Sequence, residues 1–405
     1  MRNIQLKKDL YYIGAVDKNL RRFDIVMETK FGTTYNSYVL KGSEKIAVID
    51  GSKGLFAGDF MSQLQAIVPV EKIDYLVVQH TEPDHSGAIC DLLDANPNIT
   101  LVGSIMAMRL VKEIVNRDFK SIIVRDGDKI SLGDKTLVFM PLPNLHWPDT
   151  MCTYVPELKA LFTCDFFGAH YATEEPLVSK QKNMKDYMDS RKYYFEAIMS
   201  PFKSYVRAGL TRLSQLDFDL VCVSHGPVID TGLAELIMQY AQWAAPTVKG
   251  DIPMILIAYV SNYGYTKILA ETIEKTLRGL GLKVESYDLV ETPKAKVLER
   301  VHYASGLLVG SPTIVGDVLL PVSEFLIELN PIIHGGIPAS AFGSYGWSGE
   351  AVPNILARLK QVKMKVNDEG YRAVLKPSEV KLEGARAFAR QFASQFNVKE
   401  LQCRL

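Results

Sequence analysis

Short apolar runs alternate with helical patterns along the first 240 residues or so. The runs rich in Val, Ile, Leu, Phe and Thr are predicted to be strands, and they lie at 46–50, 74–79, 99–104, 136–140, 160–164 and 219–224. Between them lie segments such as SIMAMRLVKEIVNR at 104–117, where apolar positions recur with helical spacing. This pattern predicts an α/β or α+β domain built on sheets.

The pattern changes near residue 244. The segment AAPTVKGDIP at 244–253 carries two prolines and a glycine, which favours a linker. Beyond it, predicted strands at 252–260, 284–289, 306–312, 338–344 and 362–366 alternate with predicted helices at 265–281, from about 293, near 318–330, near 350–361 and near 378–396. This alternation predicts a doubly wound, five-stranded parallel sheet of flavodoxin type.

Composition narrows the class of protein. The chain has 405 residues, a formal net charge of zero and 47% hydrophobic residues, so it can form full-sized cores. Neutral charge gives no reason to expect nucleic acid, and no apolar run reaches the length of a membrane span. The five cysteines are scattered and form no C-x-x-C pair, which argues against a disulfide framework. The simplest interpretation is a cytoplasmic protein.

One loop concentrates metal-ligating side chains. Residues 77–87 read VVQHTEPDHSG, so His80, Glu82, Asp84 and His85 follow an apolar run within six positions. A capped turn with surface charges would be an alternative explanation for this stretch alone. Further candidates elsewhere in the chain make a metal site the better interpretation.

Three such candidates also follow apolar runs or lie in short loops. His146 occurs in LHWPD, Asp165 ends ALFTCD, and His225 follows DLVCVS. Ends of strands are where rigid scaffolds deliver side chains to a shared crevice. Four histidines and three carboxylates exceed the three or four protein ligands of one metal, which predicts two metals with a shared bridge.

The residue at position 82 discriminates between metals. A histidine there would suit zinc, whereas Glu82 gives each metal two histidines and a terminal carboxylate. That donor set is typical of non-haem iron, and a bridging carboxylate fits a di-iron site. The set contains no thiol or thioether, which argues against copper(I) and iron–sulfur clusters.

A second site is predicted in the second half of the chain. The loop SNYGYT at 261–266 lies between a predicted strand and helix, where backbone N–H groups can meet a phosphate. It lacks the G-x-G-x-x-G spacing of dinucleotide folds and contains no Lys or Arg. Two further loops, SPTIVGD at 311–317 and SYGWSGE at 344–350, follow strands of the same sheet. Alone, the first loop could equally be an ordinary strand–helix turn, and Trp347 could be core packing. The three loops together predict a flavin mononucleotide (FMN) site of flavodoxin type.

These motifs together resemble the flavodiiron proteins. The resemblance rests on the metal pattern and on GTTYNSY (32–38), LHWPD (145–149), SHG (224–226) and FGSYGWSGE (342–350), and it covers essentially the whole chain. It implies an N-terminal αββα metallo-β-lactamase-like sandwich at 1–248. It also implies a flavodoxin-like FMN-binding domain at 249–405.

The resemblance also assigns roles to individual residues. It implies that one iron is bound by His80, Glu82 and His146, the other by Asp84, His85 and His225, with Asp165 as the bridge. In some family members the histidine that matches His85 is displaced by water. The implied FMN-contacting residues are Ser261, Tyr263, Gly264, Thr266, Pro312, Thr313, Tyr345, Gly346 and Trp347.

Some residues near the expected centre remain open to two interpretations. His170 either lines the pocket or is a packed histidine, and His302 and His334 are interpreted as structural. The candidate pocket walls, each of which could equally be core, are Tyr35, Trp147, Phe166 and Phe167. Many family members have a histidine where this chain has Asp24, within RRFDIV.

A flavin and a metal pair in one chain predict redox chemistry. We expect an O2 reductase that forms water, with reduction of NO to N2O at the same site as the alternative. A metal-dependent hydrolase and a redox or gas sensor are more remote alternatives. The resemblance implies a head-to-tail homodimer or a dimer of dimers. Because no rubredoxin-type cysteine pattern is present, we expect a separate electron donor, either rubredoxin or a reduced deazaflavin.

Overall fold

A computed structural model describes residues 4–24, 27–367 and 369–396. The chain divides into two compact units, Met1–Pro246 and Thr247–Leu405. The sequence-based boundary between 248 and 249 stays a prediction.

The first unit begins with a large mixed sheet. The first nine strands of this unit are β1 (Ile4–Lys7), β2 (Leu10–Asp17), β3 (Arg22–Phe23), β4 (Met27–Glu28), β5 (Thr33–Lys41), β6 (Ile46–Ile49), β7 (Tyr75–Val78), β8 (Thr100–Gly103) and β9 (Lys120–Ile123). Seven of them form a sheet in the order β1-β2-β5-β6-β7-β8-β9, antiparallel as far as β6 and parallel from β6 onward. The strands β3 and β4 pair separately.

A second sheet packs against the first. Its strands are β10 (Lys129–Ser131), β11 (Thr136–Pro141), β12 (Met151–Val155), β13 (Ala160–Cys164) and β14 (Leu220–Val223), hydrogen-bonded in chain order. Only the last pair, β13 and β14, is parallel. Residues from both sheets, such as Val77 and Phe162, share one buried core, so the sheets form a sandwich.

Helices cover the outer faces of this sandwich. They are α1 (Ala57–Ile67), α2 (Pro83–Ser86), α3 (Ile89–Ala95), α4 (Ile105–Val115), α5 (Met184–Tyr194), α6 (Lys203–Leu213) and α7 (Leu233–Trp243). One core joins α1, α3 and α4 to the first sheet, and another joins α5, α6 and α7 to the second. The layers are therefore αββα, which confirms the predicted fold class of this part.

Asn36 links the two sheets next to the metal-side loops. Its amide donates to the carbonyls of Val223 and Gly226 at 2.9 and 2.8 Å, and its carbonyl accepts from the Tyr12 hydroxyl at 2.9 Å. These bonds hold the loop that carries His225 against β5. A buried amide with three partners is costly to remove because each partner loses its hydrogen bond.

Asn36→Ala is therefore expected to lower the free energy of unfolding by about 2–3 kcal/mol. Urea denaturation followed by circular dichroism measures the change. The control is Asn98→Ala, because Asn98 is exposed and accepts one bond from Lys120. An effect of Asn36→Ala no larger than that of the control would contradict the role given to Asn36.

The second unit is a parallel sheet with helices on both faces. Its strands are β15 (Met254–Tyr259), β16 (Lys283–Asp288), β17 (Gly306–Gly310), β18 (Ala339–Tyr345) and β19 (Tyr371–Val374), in the order β16-β15-β17-β18-β19. Its helices are α8 (Tyr265–Gly279), α9 (Lys294–Val301), α10 (Leu320–Glu328), α11 (Ala351–Gln361) and α12 (Glu379–Ala393). This strand order is that of flavodoxin, so the predicted fold is confirmed.

The predicted strand at 362–366 is reduced to a single bridge, in which Lys365 pairs in parallel with Pro338 just before β18. Val362 still bonds to Arg358 at the end of α11, and Lys363 is left-handed with φ +58°. The alternation of apolar and lysine residues there reflects Val362 and Met364 covering the end of the helix, where both are buried. The fifth strand is β19 instead, which pairs in parallel with β18.

Four of the five cysteines lie within the described residues. Cys90, Cys152, Cys164 and Cys222 are free thiols, whereas Cys403 lies outside the described residues. Among the described residues, no helix is long and apolar enough to cross a membrane.

Candidate functional site

The crowded loop after β7 is folded inward. Its four candidate residues, His80, Glu82, Asp84 and His85, are all at most 6% exposed. Pro83 occupies the first turn of α2, where its missing N–H needs no helical partner. This short turn follows Glu82 directly and places Asp84 and His85 beside the strand end that delivers His80. The proline thus allows four ligand-type side chains to converge within one loop.

The other three candidates reach the same place from the second sheet. Asp165 directly follows β13, His225 follows β14, and His146 lies in the loop between β11 and β12, after a cis Leu145–His146 peptide bond. The structure thus brings all seven predicted residues together.

Three of these residues, His80, Glu82 and His146, form the first donor group. The Glu82 Oε2 atom lies 3.0 Å from His80 Nε2 and 3.4 Å from His146 Nε2. Such spacings suit ligands of one metal, because bonds of about 2.1 Å at right angles place donors about 3 Å apart.

The second donor group consists of Asp84, His85 and His225. The His225 Nε2 atom lies 3.1 Å from Asp84 Oδ2, and His85 Nε2 lies 3.4 Å from Asp84 Oδ1. All three residues are buried, and their donor atoms lie within ligand distance of one another. This group could hold a second metal ion.

Asp165 joins the two groups. Its Oδ2 atom lies 3.1 Å from His146 Nε2 and 3.5 Å from His80 Nε2. Its Oδ1 atom lies 3.2 Å from His85 Nε2 and 3.3 Å from His225 Nε2. One carboxylate therefore presents one oxygen to each group, which is the arrangement of a bridging ligand.

The hydrogen bonding of the second group fits a metal. Both oxygens of Asp84, His85 Nε2 and Asp165 Oδ1 are buried and have no hydrogen-bond partner, although they lie close together. Buried polar atoms without partners are rare and costly in proteins. A cation bound between these four atoms would supply the partner that each of them lacks.

The charges of the site also fit a bound metal ion. Burial alone would lower the pKa of His85 and of His225, but Asp84 and Asp165 raise both to about 10. Burial alone would raise the pKa of Asp84, yet the neighbouring histidines lower it to about 2. The carboxylates thus attract positive charge, which metal ions supply in place of protons.

We therefore expect metal binding to release protons at pH 7–8. Imidazoles with a pKa near 10 are protonated at that pH, and a metal binds only the neutral ring. The metal affinity should accordingly rise with pH until the pH passes about 10. Calorimetric titration of Fe2+ into the apoprotein, in buffers of different ionisation enthalpy, measures the proton release. His85→Gln should release fewer protons, and equal heats in all buffers would contradict the expectation.

Residues outside the donor set orient it. Asp149 is buried and its Oδ1 lies 3.1 Å from His80 Nδ1, while its Oδ2 accepts from the N–H and hydroxyl of Thr81. The Nδ1 atom of His225 donates to the Thr34 carbonyl at 2.7 Å. Such partners fix the ring so that the other nitrogen faces the metal. The sequence interpretation gave Asp149 no role, although its carboxylate three residues after His146 was a usable signal.

The remaining histidines have packing roles. His170 is buried, its ring centre lies 5.3 Å from that of His225, and its Nδ1 lies 3.0 Å from the Thr33 hydroxyl. It lines a separate cavity and not the one beside the donor groups, so the structure favours the packed histidine. His334 accepts from the Asn330 N–H at 2.9 Å and contacts the ring of His302, which fits a structural role.

The four aromatic candidates divide into two pairs. The ring of Tyr35 lies 5.7 Å from that of His225, and the ring of Trp147 lies 5.0 Å from that of His80. By contrast, Phe166 and Phe167 stack on each other and belong to the core beneath the second sheet. Tyr35 and Trp147 are therefore the walls of the site.

A small cavity of about 160 Å3 opens beside the donor groups. This front cavity is lined by Leu20, Arg22, Phe23, Asp24, Lys53, Glu82, Pro83 and Asp84. Burial, followed by the charge of Glu82 and a hydrogen bond to it, raises the pKa of Asp24 to about 6. Asp24 thus lies beside Glu82 at the edge of the donor groups.

The second unit carries the other candidate site. A cavity of about 380 Å3 is lined by Tyr263, Tyr265, Pro312, Thr313, Ile314, Val315, Gly316, Ser344, Tyr345, Gly346, Trp347 and Leu375. Six of the nine predicted flavin residues are among them. The other three, Ser261, Gly264 and Thr266, lie at the adjacent N-terminus of α8. There Gly264 has φ +82° and Ser261 accepts a bond from the Lys267 N–H.

This cavity suits a planar aromatic ring. Tyr263 and Trp347 are 78% and 90% exposed, so large aromatic surfaces stand open at its rim. Val315 and Leu375 are also exposed there, and the sequence interpretation did not single them out. The cavity lies at the carboxyl ends of parallel strands, where such folds bind ligands.

Comparison with known proteins agrees with both sites. A family described as ODP family beta lactamase matches residues 33–226, and the flavodoxin family matches residues 257–390. Flavo-diiron protein FprA2 of Clostridium acetobutylicum is 35% identical over 395 residues, which cover 96% of this chain and 98% of that protein. The chain belongs to the flavodiiron protein family. The resemblance inferred from its motifs is thus confirmed.

Other members are similar over nearly their whole length. Type A flavoprotein fprA of Rhodobacter capsulatus is 37% identical and covers 95% of this chain and 89% of that protein. The solved structure of the flavodiiron protein from Giardia intestinalis has a TM-score of 0.65 and 28% identity, covering 99% and 98% of the two chains. The protein is therefore a flavodiiron oxidoreductase whose cofactors are FMN and a pair of irons.

Proposed function

We propose that this protein reduces O2 to water at its iron pair, with electrons relayed by FMN. The observation that carries the proposal is the position of Asp165, whose two oxygens face two separate donor groups. Each group adds two histidines and one carboxylate, the donor set of non-haem iron. Reduction of NO to N2O at the same site is the alternative, because both reactions would use the same ligands.

The proposed ligands follow the two donor groups. His80, Glu82 and His146 hold one iron, and Asp84, His85 and His225 hold the other, with Asp165 between them. When bound, the irons and FMN supply the gas-binding positions and the four electrons that convert O2 to two waters.

The chain's own residues keep this chemistry in place. Asp149 and the Thr34 carbonyl fix the rings of His80 and His225, so that each presents Nε2 to its metal. Asp24 lines the front cavity beside Glu82, and burial raises its pKa to about 6, so it can take up or release a proton near neutral pH. Tyr35 and Trp147 limit water at the site because their rings stand against the ligand histidines.

The FMN site is proposed from the second unit. Ser261, Tyr263, Gly264 and Thr266 receive the phosphate at the N-terminus of α8, where backbone N–H groups and the helix dipole favour an anion. Pro312, Thr313, Tyr345, Gly346 and Trp347, in the loops after β17 and β18, would hold the flavin ring. The aromatic rim and apolar lining of the cavity support this orientation.

The electrons that reduce the FMN must come from a separate donor. We propose rubredoxin as the donor, with reduced deazaflavin as the alternative. A solved protein from Desulfovibrio gigas named rubredoxin oxygen:oxidoreductase shares the fold, at 24% identity.

We also propose a head-to-tail homodimer, or a dimer of two such dimers, in which the FMN of one chain lies beside the iron pair of the other.

A paired single turnover tests the function. Iron-loaded and FMN-loaded protein is reduced anaerobically and mixed with O2 or with NO, while flavin absorbance is followed. Fast reoxidation by O2 with slow reaction toward NO is the expected result. The reverse would establish the NO reductase alternative. Failure of both gases to reoxidise the flavin would contradict the proposal and favour the hydrolase or sensor.

A further inference from the structure

A buried carboxylate outside the proposed ligand set lies next to the second donor group. Asp50 directly follows β6, is 3% exposed and has a left-handed backbone with φ +55°. This conformation is uncommon for a residue other than glycine, and residues that adopt such conformations cluster at active sites. The proposed ligand set by itself gives no reason for a buried acid in this conformation.

The segment that begins with Asp50 fixes the backbone of the ligand loop. The Gly51 N–H donates to the His85 carbonyl at 2.9 Å, and the Ala88 N–H donates to the Ser52 carbonyl at 3.0 Å. Position 51 requires glycine, since an added Cβ would lie 2.6 Å from the carbonyl oxygen of His85. The backbone of His85 is thus held against this segment.

The side chain of Asp50 also lies close to the ring of His85. A carboxylate oxygen of Asp50, a ring nitrogen of His85 and the Cys164 sulfur lie within 4.8 Å of one another, and all three residues are buried. The Nε2 atom of the same ring lies 3.2 Å from Asp165 Oδ1 and 3.4 Å from Asp84 Oδ1. His85 therefore faces the carboxylates of the donor groups and is also near the carboxylate of Asp50.

The hydrogen bonds of Asp50 suit a negative charge. Its Oδ1 accepts from the Gln79 backbone N–H at 2.9 Å, and its Oδ2 accepts from the Gln79 side-chain amide at 3.1 Å and from the Ser224 hydroxyl at 3.4 Å. Accepting on both oxygens is typical of an ionised carboxylate. Burial raises the pKa of Asp50, but the charge of His85 and the bonds from Gln79 oppose that shift, and bound iron would oppose it further.

Neutral groups alone bond to this charge. Within the described part of the chain, no Lys or Arg forms an ion pair with Asp50, and burial raises the pKa of the Cys164 thiol well above its usual range. A buried anion is costly unless an opposite charge compensates for it. The iron assigned to Asp84, His85 and His225 would supply that charge, so the following inference rests on the proposed function.

We propose that Asp50 is a positioning residue of the iron pair, which holds His85 toward its iron and stabilises the oxidised state of that iron. A carboxylate beside a ligating imidazole orients the ring and makes it a stronger donor. A fixed negative charge also favours the metal ion with the higher positive charge. Asp50 thus does for His85, through its charge, what Asp149 does for His80 through a hydrogen bond.

Asp50→Asn tests the charge with little change of shape. The amide oxygen still accepts from the Gln79 N–H, and the new NH2 group can donate to Gln79 Oε1, which is buried without a partner, once the Gln79 amide turns round. In iron-loaded, FMN-loaded protein, the ratio of reduced to oxidised iron at a fixed potential should rise about tenfold. That change equals a potential higher by about 59 mV for one electron, and a redox titration followed by EPR measures it. Competition with a chelator should show Fe2+ affinity about tenfold lower.

Three further variants separate charge from packing. Ser52→Ala removes a buried hydroxyl without a partner from the same segment, and Asp59→Asn removes an exposed carboxylate, so neither should move the potential. Gln79→Leu removes the side-chain bond that orients Asp50 but leaves the charge in place. The potential of Gln79→Leu should therefore rise by less than that of Asp50→Asn, and this variant decides the question if Asp50→Asn does not fold.

The outcomes separate this inference from the proposed function. A higher potential and weaker Fe2+ binding in Asp50→Asn, with both controls unchanged, would support the role of Asp50. A wild-type potential in Asp50→Asn, or a shift no larger than that of Ser52→Ala, would overturn this role, and gas reduction by the wild type would leave the function standing. If the wild type reduces neither gas, the proposed function fails, and the comparison of potentials still decides the role of Asp50.

Discussion

Asp165→Asn is expected to cause the largest loss of iron and of activity among single substitutions in this chain. Asp165 is fully buried at the centre of the site, and its two oxygens face four histidine nitrogens at 3.1–3.5 Å. An amide has the same shape but carries no charge and presents only one oxygen. One metal would therefore lose its ligand, and the other would keep only a neutral oxygen.

The expected fall in gas-reducing activity exceeds about a hundredfold, because even partners of ligands typically contribute 10–100-fold. Iron content per chain should fall as well, and elemental analysis with a turnover assay measures both. Asp149→Asn, which alters the partner of His80 and of Thr81 but removes none of the proposed ligands, should show a smaller loss. The exposed Asp126→Asn is the surface control. Full iron content in Asp165→Asn would rule out the bridging role.

The second large effect is expected from Ser261→Glu at the start of α8. A carboxylate there would occupy the positive end of the helix and repel the phosphate of FMN. At a separation of about 4 Å and an effective dielectric constant of about 20, each pair of like charges costs about 4 kcal/mol. FMN affinity should therefore fall by about a hundredfold or more, and gas reduction with it.

Two readouts make this prediction specific. Fluorescence titration of the flavin-free protein measures FMN affinity, and elemental analysis should show unchanged iron. Lys275→Glu places a carboxylate on the exposed face of the same helix and serves as the matched control. Equal FMN affinity in Ser261→Glu and in the control would mean that the phosphate binds elsewhere.

The core of the site could be predicted from the sequence for a simple reason. Asp165 and His225 follow apolar strands almost directly, and the ends of neighbouring parallel strands meet at one edge. The cluster around His80 was visible because four ligand-type residues fall in one loop. Glu82 in place of a histidine then identified the type of metal. Local chemistry and strand ends were sufficient here.

Other features depend on contacts that the sequence does not encode locally. Asp149 meets His80 across 69 positions, and Asp24 meets Glu82 only after the β3–β4 hairpin folds over the site. The predicted strand at 362–366 failed because its alternation arises from the end of a helix. In each case, tertiary packing gave a residue a role that its immediate neighbours did not indicate.

One carboxylate is proposed to join two irons that work as a unit with FMN. Mössbauer spectroscopy of 57Fe-loaded protein, before and after reduced protein meets O2, tests it most directly. We expect two irons per chain that are magnetically coupled in the oxidised form and are oxidised together, in step with the flavin. Uncoupled iron at a single site, or iron that stays reduced while the flavin reoxidises, would contradict it.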